Sequence, residues 1–204
     1  MERSSIIQRR DLGVTVNANL PRAVVLVEGP SDEAALTTLA SRRHLDLAAL
    51  GVAIVPMGGA HALSRFLDRF GPHGANIPVR GLYDAHEEPV VRHALAGAGL
   101  GSRLTRAELE RQGFYACDAD LEDELIRALG TQAVEAIIAA QGELGPFRTF
   151  QRQPAQRTRA LEQQLQRFLG THAGRKIQYA RLLVEALDLA NVPRPLDRVL
   201  ASVW

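Results

Sequence analysis

A chain of 204 residues with a hydrophobic fraction of 46% is long enough for one folded domain, or one domain with a modest helical extension. A net charge of +1 gives no case for nucleic-acid binding from total charge, and a single cysteine, Cys117, excludes an internal disulfide and a Cys/His zinc site. Residues 1–10 lack the apolar run of a secretory leader and no later apolar run is long enough to span a bilayer, so the expected location is the cytoplasm.

Residues 1–20 are expected to form an N-terminal extension, with Val14 and Val16 alternating with polar neighbours as in a short edge strand or hairpin. After Pro21 the first strand covers 23–28, an apolar run that stops at Glu28. Gly29-Pro30-Ser31 is a turn. Ser31 is the expected N-cap of a helix that carries Glu33 in its first turn and runs to about His44, with Ala35, Leu36, Leu39 and Ala40 on one face. A second strand, 52–55, is broken by Pro56-Met57-Gly58-Gly59. A helix through Leu63, Phe66, Leu67 and Phe70 follows and ends at Gly71-Pro72-His73-Gly74. The third strand covers about 78–83 and runs out at Asp84. The next helix, 87–97, turns Val90, Val91, Ala94 and Leu95 inward, and Thr105 caps a short turn through Glu108 and Leu109. The fourth strand, 113–117, places Cys117 in the core and ends before Asp118, with Asp120 and Glu122 just behind. Asp118 or Asp120 then caps a helix holding Leu121, Leu125, Ile126 and Leu129, which Gly130-Thr131 interrupts and 132–140 continues. Residues 142–154 form a loop rich in turn residues, and helices at about 156–169 and 176–189 close the chain. Trp204 is expected to dock on the body.

Alternating strands and helices define an α/β fold: a central parallel sheet of about four strands with right-handed crossovers, flanked by helices, and a C-terminal helical extension. The expected division is a core at 21–141 and an extension at 142–204 packed on it. In such a sheet the carboxyl ends of the strands share one edge, where ligands bind. Glu28, Asp84 and the group Asp118, Asp120 and Glu122 therefore collect there. Gathered carboxylates repel one another unless a cation sits between them, which points to a divalent metal with oxygen ligands and to phosphate chemistry. Asp123 and Glu124 are expected on a solvated face.

Gly58 and Gly59 either make a plain turn or cradle a phosphate with backbone N–H groups. From Arg148 to Arg181 eight basic residues face Glu162 alone. That stretch is either a solvated helical surface or a track for a phosphate backbone. Phe147, Phe150, Phe168 and Tyr179 lie within it and are expected to pack helices rather than stack bases. Lys176 is the one lysine among 24 basic residues, a place where a compact ammonium is needed or a chance occurrence. His44, His61, His73, His93 and His172 show no ligand spacing.

The segment Val25-Leu26-Val27-Glu28-Gly29-Pro30-Ser31-Asp32-Glu33 resembles the first motif of TOPRIM domains, the topoisomerase–primase fold, a Rossmann-like domain. Asp32, four residues after Glu28, is similar to the OLD (overcoming lysogenisation defect) branch of nucleases. Leu82-Tyr83-Asp84-Ala85-His86 resembles the Asp-x-Asp of the second motif, and Asp118-Ala119-Asp120-Leu121-Glu122 resembles the acidic stretch of the OLD branch. These motifs span roughly 22–130.

The resemblance implies that Glu28 binds metal or acts as general acid/base, that Asp32 and Asp84 hold metal, and that Asp120 and Glu122 complete a second metal position. Lys176, in Gly174-Arg175-Lys176, resembles a late lysine near the phosphate; Arg175 beside it and, on the backbone reading above, Gly58 and Gly59 are the expected nucleic-acid contacts. His86 replaces the second Asp of Asp-x-Asp; imidazole suits Mn²⁺ or Zn²⁺ better than Mg²⁺, and Glu87 or Glu88 can stand in. The chain has no Gly-x-x-x-x-Gly-Lys-[Ser/Thr] segment, so it is similar to the catalytic half of an OLD-type enzyme, with an ATPase conceivable as a partner in trans.

The expected function is a Mg²⁺- or Mn²⁺-dependent endonuclease or phosphodiesterase acting on DNA or RNA. The alternatives are a catalytically weakened TOPRIM module that binds nucleic acid or a protein, and a small flavodoxin-like phosphotransferase or hydrolase.

Overall fold

Each of the four apolar runs becomes a strand: β1 (Ala23–Val27), β2 (Val52–Pro56), β3 (Val79–Asp84) and β4 (Phe114–Cys117). The computed structural model describes residues 20–203, so the expectations for Val14, Val16 and Trp204 lie outside the described residues. The strands pair in parallel in the order β2-β1-β3-β4. β1 is central and all five of its residues are buried. Its unbroken apolar run follows from cover on both faces, since a parallel strand with helices on either side has no solvent face to mark with polar residues.

Side chains alternate across a strand, and β1 divides the interior accordingly. Val24 and Leu26 join Leu63, Phe66, Leu67, Phe70, Val91, Leu95 and Leu109 in one core. Those residues come from α2 (Leu63–Phe70), α3 (Glu88–Gly97) and α4 (Arg106–Arg111). Thr105 caps α4, accepting the Glu108 N–H at 3.3 Å, as its sequence predicts.

Val25 and Val27 join the second core, with α1 (Pro30–Arg42), α5 (Leu121–Leu129), α6 (Thr131–Ala140), α7 (Leu144–Gln151), α8 (Leu161–Leu169), α9 (Ala173–Ala186) and α10 (Arg194–Ala201). The late helices thus close one face of the sheet. Arg42 fastens α1 to the end of α9 by donating to the carbonyls of Val184 at 2.8 Å and Leu187 at 2.7 Å, and Arg43 pairs with Asp197 of α10 at 2.7 Å.

Two helices lie where the sequence predicts none. α7 occupies the expected loop 142–154: Pro146 falls in its first turn, where a missing N–H leaves no bond unmade, and Phe147 is driven into the core. α10 follows the same logic, with Pro195 in its first turn and Leu196, Val199 and Leu200 buried. The helix expected from 156 begins at Leu161. α1 is capped by Gly29 rather than Ser31, with Pro30 at its first position. No helix among the described residues is long and apolar enough to cross a membrane.

Candidate metal centre

From β1 the chain crosses to β2 on one side, and β3 and β4 lie on the other, so the strand order reverses between β1 and β3. The carboxyl ends at such a reversal leave a crevice that no crossover covers. Glu28 follows β1 and Asp84 ends β3. In their register Leu26 lies opposite Gly81, which sets Glu28 one residue short of the level of Asp84. Adjacent strands stand about 4.8 Å apart.

The turn after β2 holds Glu28 in place. Gly58 and Gly59 adopt φ of 77° and 116°, a region open to glycine. Their N–H groups donate to the Glu28 carbonyl at 3.0 and 3.1 Å. Both donors are engaged, so of the two readings the geometry is that of a turn, and the pair positions Glu28.

Two more elements bring acids to the crevice. Asp32, in the first turn of α1, is 9% exposed and accepts the Gly29 N–H at 2.8 Å. Asp120 caps α5, accepting the Asp123 N–H at 2.8 Å through Oδ1 and the Gln166 amide at 2.8 Å through Oδ2. Glu122, in the first turn of α5, is 3% exposed. Its Oε2 lies 3.3 Å from Nζ of Lys176, which α9 delivers from across the cluster, while its Oε1 is buried without a hydrogen-bond partner.

The acids sense one another. Burial, and then the charges of Glu28, Asp120 and Asp32, push Asp84 up to about 8, with Lys176 pulling the other way. Burial likewise raises Glu122 to about 7, against Lys176 and helped by Asp120 and Asp32. Asp32 is raised by its own burial. These side chains, far apart in the chain, therefore form one electrostatic unit.

His86 is exposed on the 3-10 turn Ala85–Glu87. Glu88 is locked by Arg92 and by Arg106 at 2.8 Å, which leaves Glu87 as the free acid of the two. Burial and then Glu28 raise Glu87, while His86 and His61 draw it down, and its Oε2 has no partner. His61 thus joins this corner, although its spacing in the sequence signals nothing. The available sign was its place just after the Gly58-Gly59 turn that bonds Glu28. Gln166 is a neutral residue on a helix face, and no sequence signal marks it.

Arg175 is not free for nucleic acid. Its guanidinium pairs with Glu143 at 3.1 and 2.8 Å and lies 4.4 Å from the ring centroid of Phe168, tying α9 to the start of α7. Arg148 is similarly paired with Glu135 at 2.7 Å. Arg152, Arg157 and Arg167 are exposed and make no ion pair among the described residues. Arg167 edges a groove of about 480 Å³ that opens beside Asp120. Phe147, Phe150 and Phe168 pack on one another with centroids 5.0 and 5.6 Å apart, and Cys117 is buried. Glu124, expected on a solvated face, is 6% exposed, accepts the Asp118 N–H at 2.9 Å and pairs with Arg127 at 2.7 Å.

Among the described residues no three Asp, Glu, His or Cys side chains stand close enough together to hold a metal ion as they are. The donors at the crevice are nevertheless carboxylate oxygens, which suit hard ions such as Mg²⁺ and Mn²⁺. The unpartnered Oε1 of Glu122 and the raised carboxyl of Asp84 mark negative charge in excess of its compensation. The residues fit a divalent cation in chemistry and charge, and the side chains must close on it.

A parallel sheet with acids at its switch point is an arrangement that TOPRIM domains share with other doubly wound α/β folds. Residues 21–85 match the family model described as "Overcoming lysogenization defect protein-like, TOPRIM domain", a span that begins just before β1 and ends just past Asp84. That match supports a TOPRIM domain of the OLD branch over this segment. The fold of the chain is that of the C-terminal region of the Xanthomonas campestris pv. campestris OLD protein, at a TM-score of 0.68 and 21% identity over 90% of this chain and 92% of that one. The C-terminal region of the Burkholderia pseudomallei OLD protein is similar at a TM-score of 0.64 and 20% identity, covering 90% of this chain and 96% of that one. No curated protein matches the sequence significantly.

Proposed function

We propose that this chain is a cytoplasmic, divalent-metal-dependent TOPRIM nuclease that cleaves phosphodiester bonds of DNA or RNA. The observation that carries this reading is the convergence of Glu28, Asp32, Asp84, Asp120 and Glu122 on one crevice, with Asp84 driven up to about 8 by burial and by its neighbours. Glu28 and Asp84 would hold one ion, and Asp32, Asp120 and Glu122 a second. When bound, Mg²⁺ or Mn²⁺ supplies electrostatic stabilisation of the charge that builds on the phosphoryl oxygens. Glu28, at the loose end of β1 and half-exposed, is the group to move a proton at the scissile phosphate. Lys176 presents a positive charge to the same rim. An ATPase acting in trans is a proposed partner, as the OLD resemblance implies.

A second reading has its own support. His86 is exposed where the resemblance implies a carboxylate, and no ligand set is preformed. On that reading the chain binds nucleic acid or a protein partner without cleaving. An oligonucleotide cleavage assay with Mg²⁺ and then Mn²⁺ separates the two. Cleavage by the native chain that drops at least a hundredfold in Glu28→Ala supports the nuclease. Binding without cleavage under either metal supports the module, and cleavage that survives Glu28→Ala places the chemistry elsewhere.

A further inference from the structure

The ammonium of Lys176 stands where the carboxylates converge. Nζ is 3.3 Å from Glu122 Oε2, and its charge acts on Asp32, Asp84 and Asp120 as well. Glu122 is 3% exposed and leaves its second oxygen unpartnered. A buried carboxylate with one oxygen empty is costly to hold, so the pair is incomplete as a purely structural ion pair. It compensates part of the charge at the crevice and no more.

The backbone around Lys176 is fixed by packing, while its side chain stays partly open to solvent. Tyr179, Ala180, Leu183 and Val184, which follow Lys176 along the same face of α9, are buried. The Tyr179 hydroxyl donates to Glu143 at 2.7 Å, and Arg175 clamps the first turn to the same carboxylate. The Lys176 side chain itself is 39% exposed. It is also the one lysine in a chain whose other basic residues are all arginine. An ammonium on a flexible four-carbon stem is a point charge that can leave a carboxylate, whereas a guanidinium fork binds both oxygens and stays.

We propose that Lys176 is an internal counter-ion that occupies the cation position of the metal-free protein and is displaced by the divalent ion, which frees its ammonium to meet the incoming phosphate. This rests on the crevice being a metal centre. A metal that must expel an ammonium binds weakly by itself, and a polyanion that takes up the ammonium strengthens it. Metal and nucleic acid then bind cooperatively, each raising the affinity of the other by the same factor.

The test is calorimetric titration of the full chain with Mn²⁺, for the native protein, Lys176→Met and Lys176→Arg, each checked for folding by circular dichroism. Lys176→Met should bind Mn²⁺ about tenfold more tightly, a change of about 1.4 kcal/mol, and Lys176→Arg, whose fork is harder to displace, should bind it more weakly than the native protein. Equal or weaker binding by folded Lys176→Met overturns the proposal.

Because the chain has one lysine, native protein labelled with ¹³C at lysine Cε gives a single side-chain NMR signal, which keeps the question answerable if Lys176→Met does not fold. On Mg²⁺ saturation that signal should shift and sharpen toward a solvated position; a signal that stays put while Mg²⁺ saturates overturns the displacement. Absence of Mn²⁺ binding by both the native protein and folded Lys176→Met removes the metal centre itself, whereas metal binding with a static lysine removes only this inference.

Discussion

Burial and acidic neighbours favour the protonated carboxyl of Asp84 more in the folded chain than in the unfolded one. Its carboxyl is raised to about 8 from an ordinary 3.8, so between those values the folded state binds more protons than the unfolded state. Stability then falls as pH rises through that window, because the slope follows the excess of protons bound on unfolding. Asp84 is partly exposed, and solvent screening reduces the effect to the order of 1 kcal/mol. The metal-free protein should therefore melt at a lower temperature at pH 8 than at pH 6. Asp84→Asn should raise the melting temperature at pH 8 and flatten the slope, and saturating Mg²⁺ should flatten it in the native chain. A melting temperature that rises with pH, or an Asp84→Asn variant less stable than the native protein at pH 8, would contradict this origin of the strain. The placement of Glu28 and Asp84 at strand ends is legible because an acid that halts an apolar strand is a local signal. Arg175 and Glu124 were misjudged because their partners, Glu143 and Arg127, are set by packing and not by spacing.

At the scale of elements, the turn between β2 and α2 holds the backbone of Glu28 through two hydrogen bonds. Gly58 has φ of 77° and open space where a Cβ would stand, so Gly58→Ala meets backbone strain and no clash. That strain amounts to about 1 kcal/mol. The variant should lose that much stability in chemical denaturation and, because its N–H bonds the Glu28 carbonyl at 3.0 Å, should weaken Mn²⁺ binding severalfold. Unchanged metal affinity would separate the turn from the site. The four strands were readable from apolar runs bounded by Gly and Pro. α7 and α10 were not, because proline reads as a breaker in a sequence and is accommodated in a helix's first turn. Where these helices dock is a matter of burial, and Phe147 and Leu196, both at 0% exposure, show the apolar faces that decide it.

The site exists only when the whole molecule is assembled, since β1, β3, α1, α5 and α9 each contribute a charged group and no two of these elements are adjacent in sequence except β1 and α1. The sequence shows acids at strand ends; that α9 returns along α1 to set a lysine among them follows from the second core and from Arg42, neither of which periodicity reveals. Crystals of the full chain grown or soaked with Mn²⁺ address the convergence itself, because anomalous scattering locates the ion independently of any assay. A peak bridging the carboxylates of Glu28 and Asp84 is expected. Saturating Mn²⁺ with no peak at either carboxylate, or an ion held elsewhere on the protein, would mean that these acids meet without forming a metal centre.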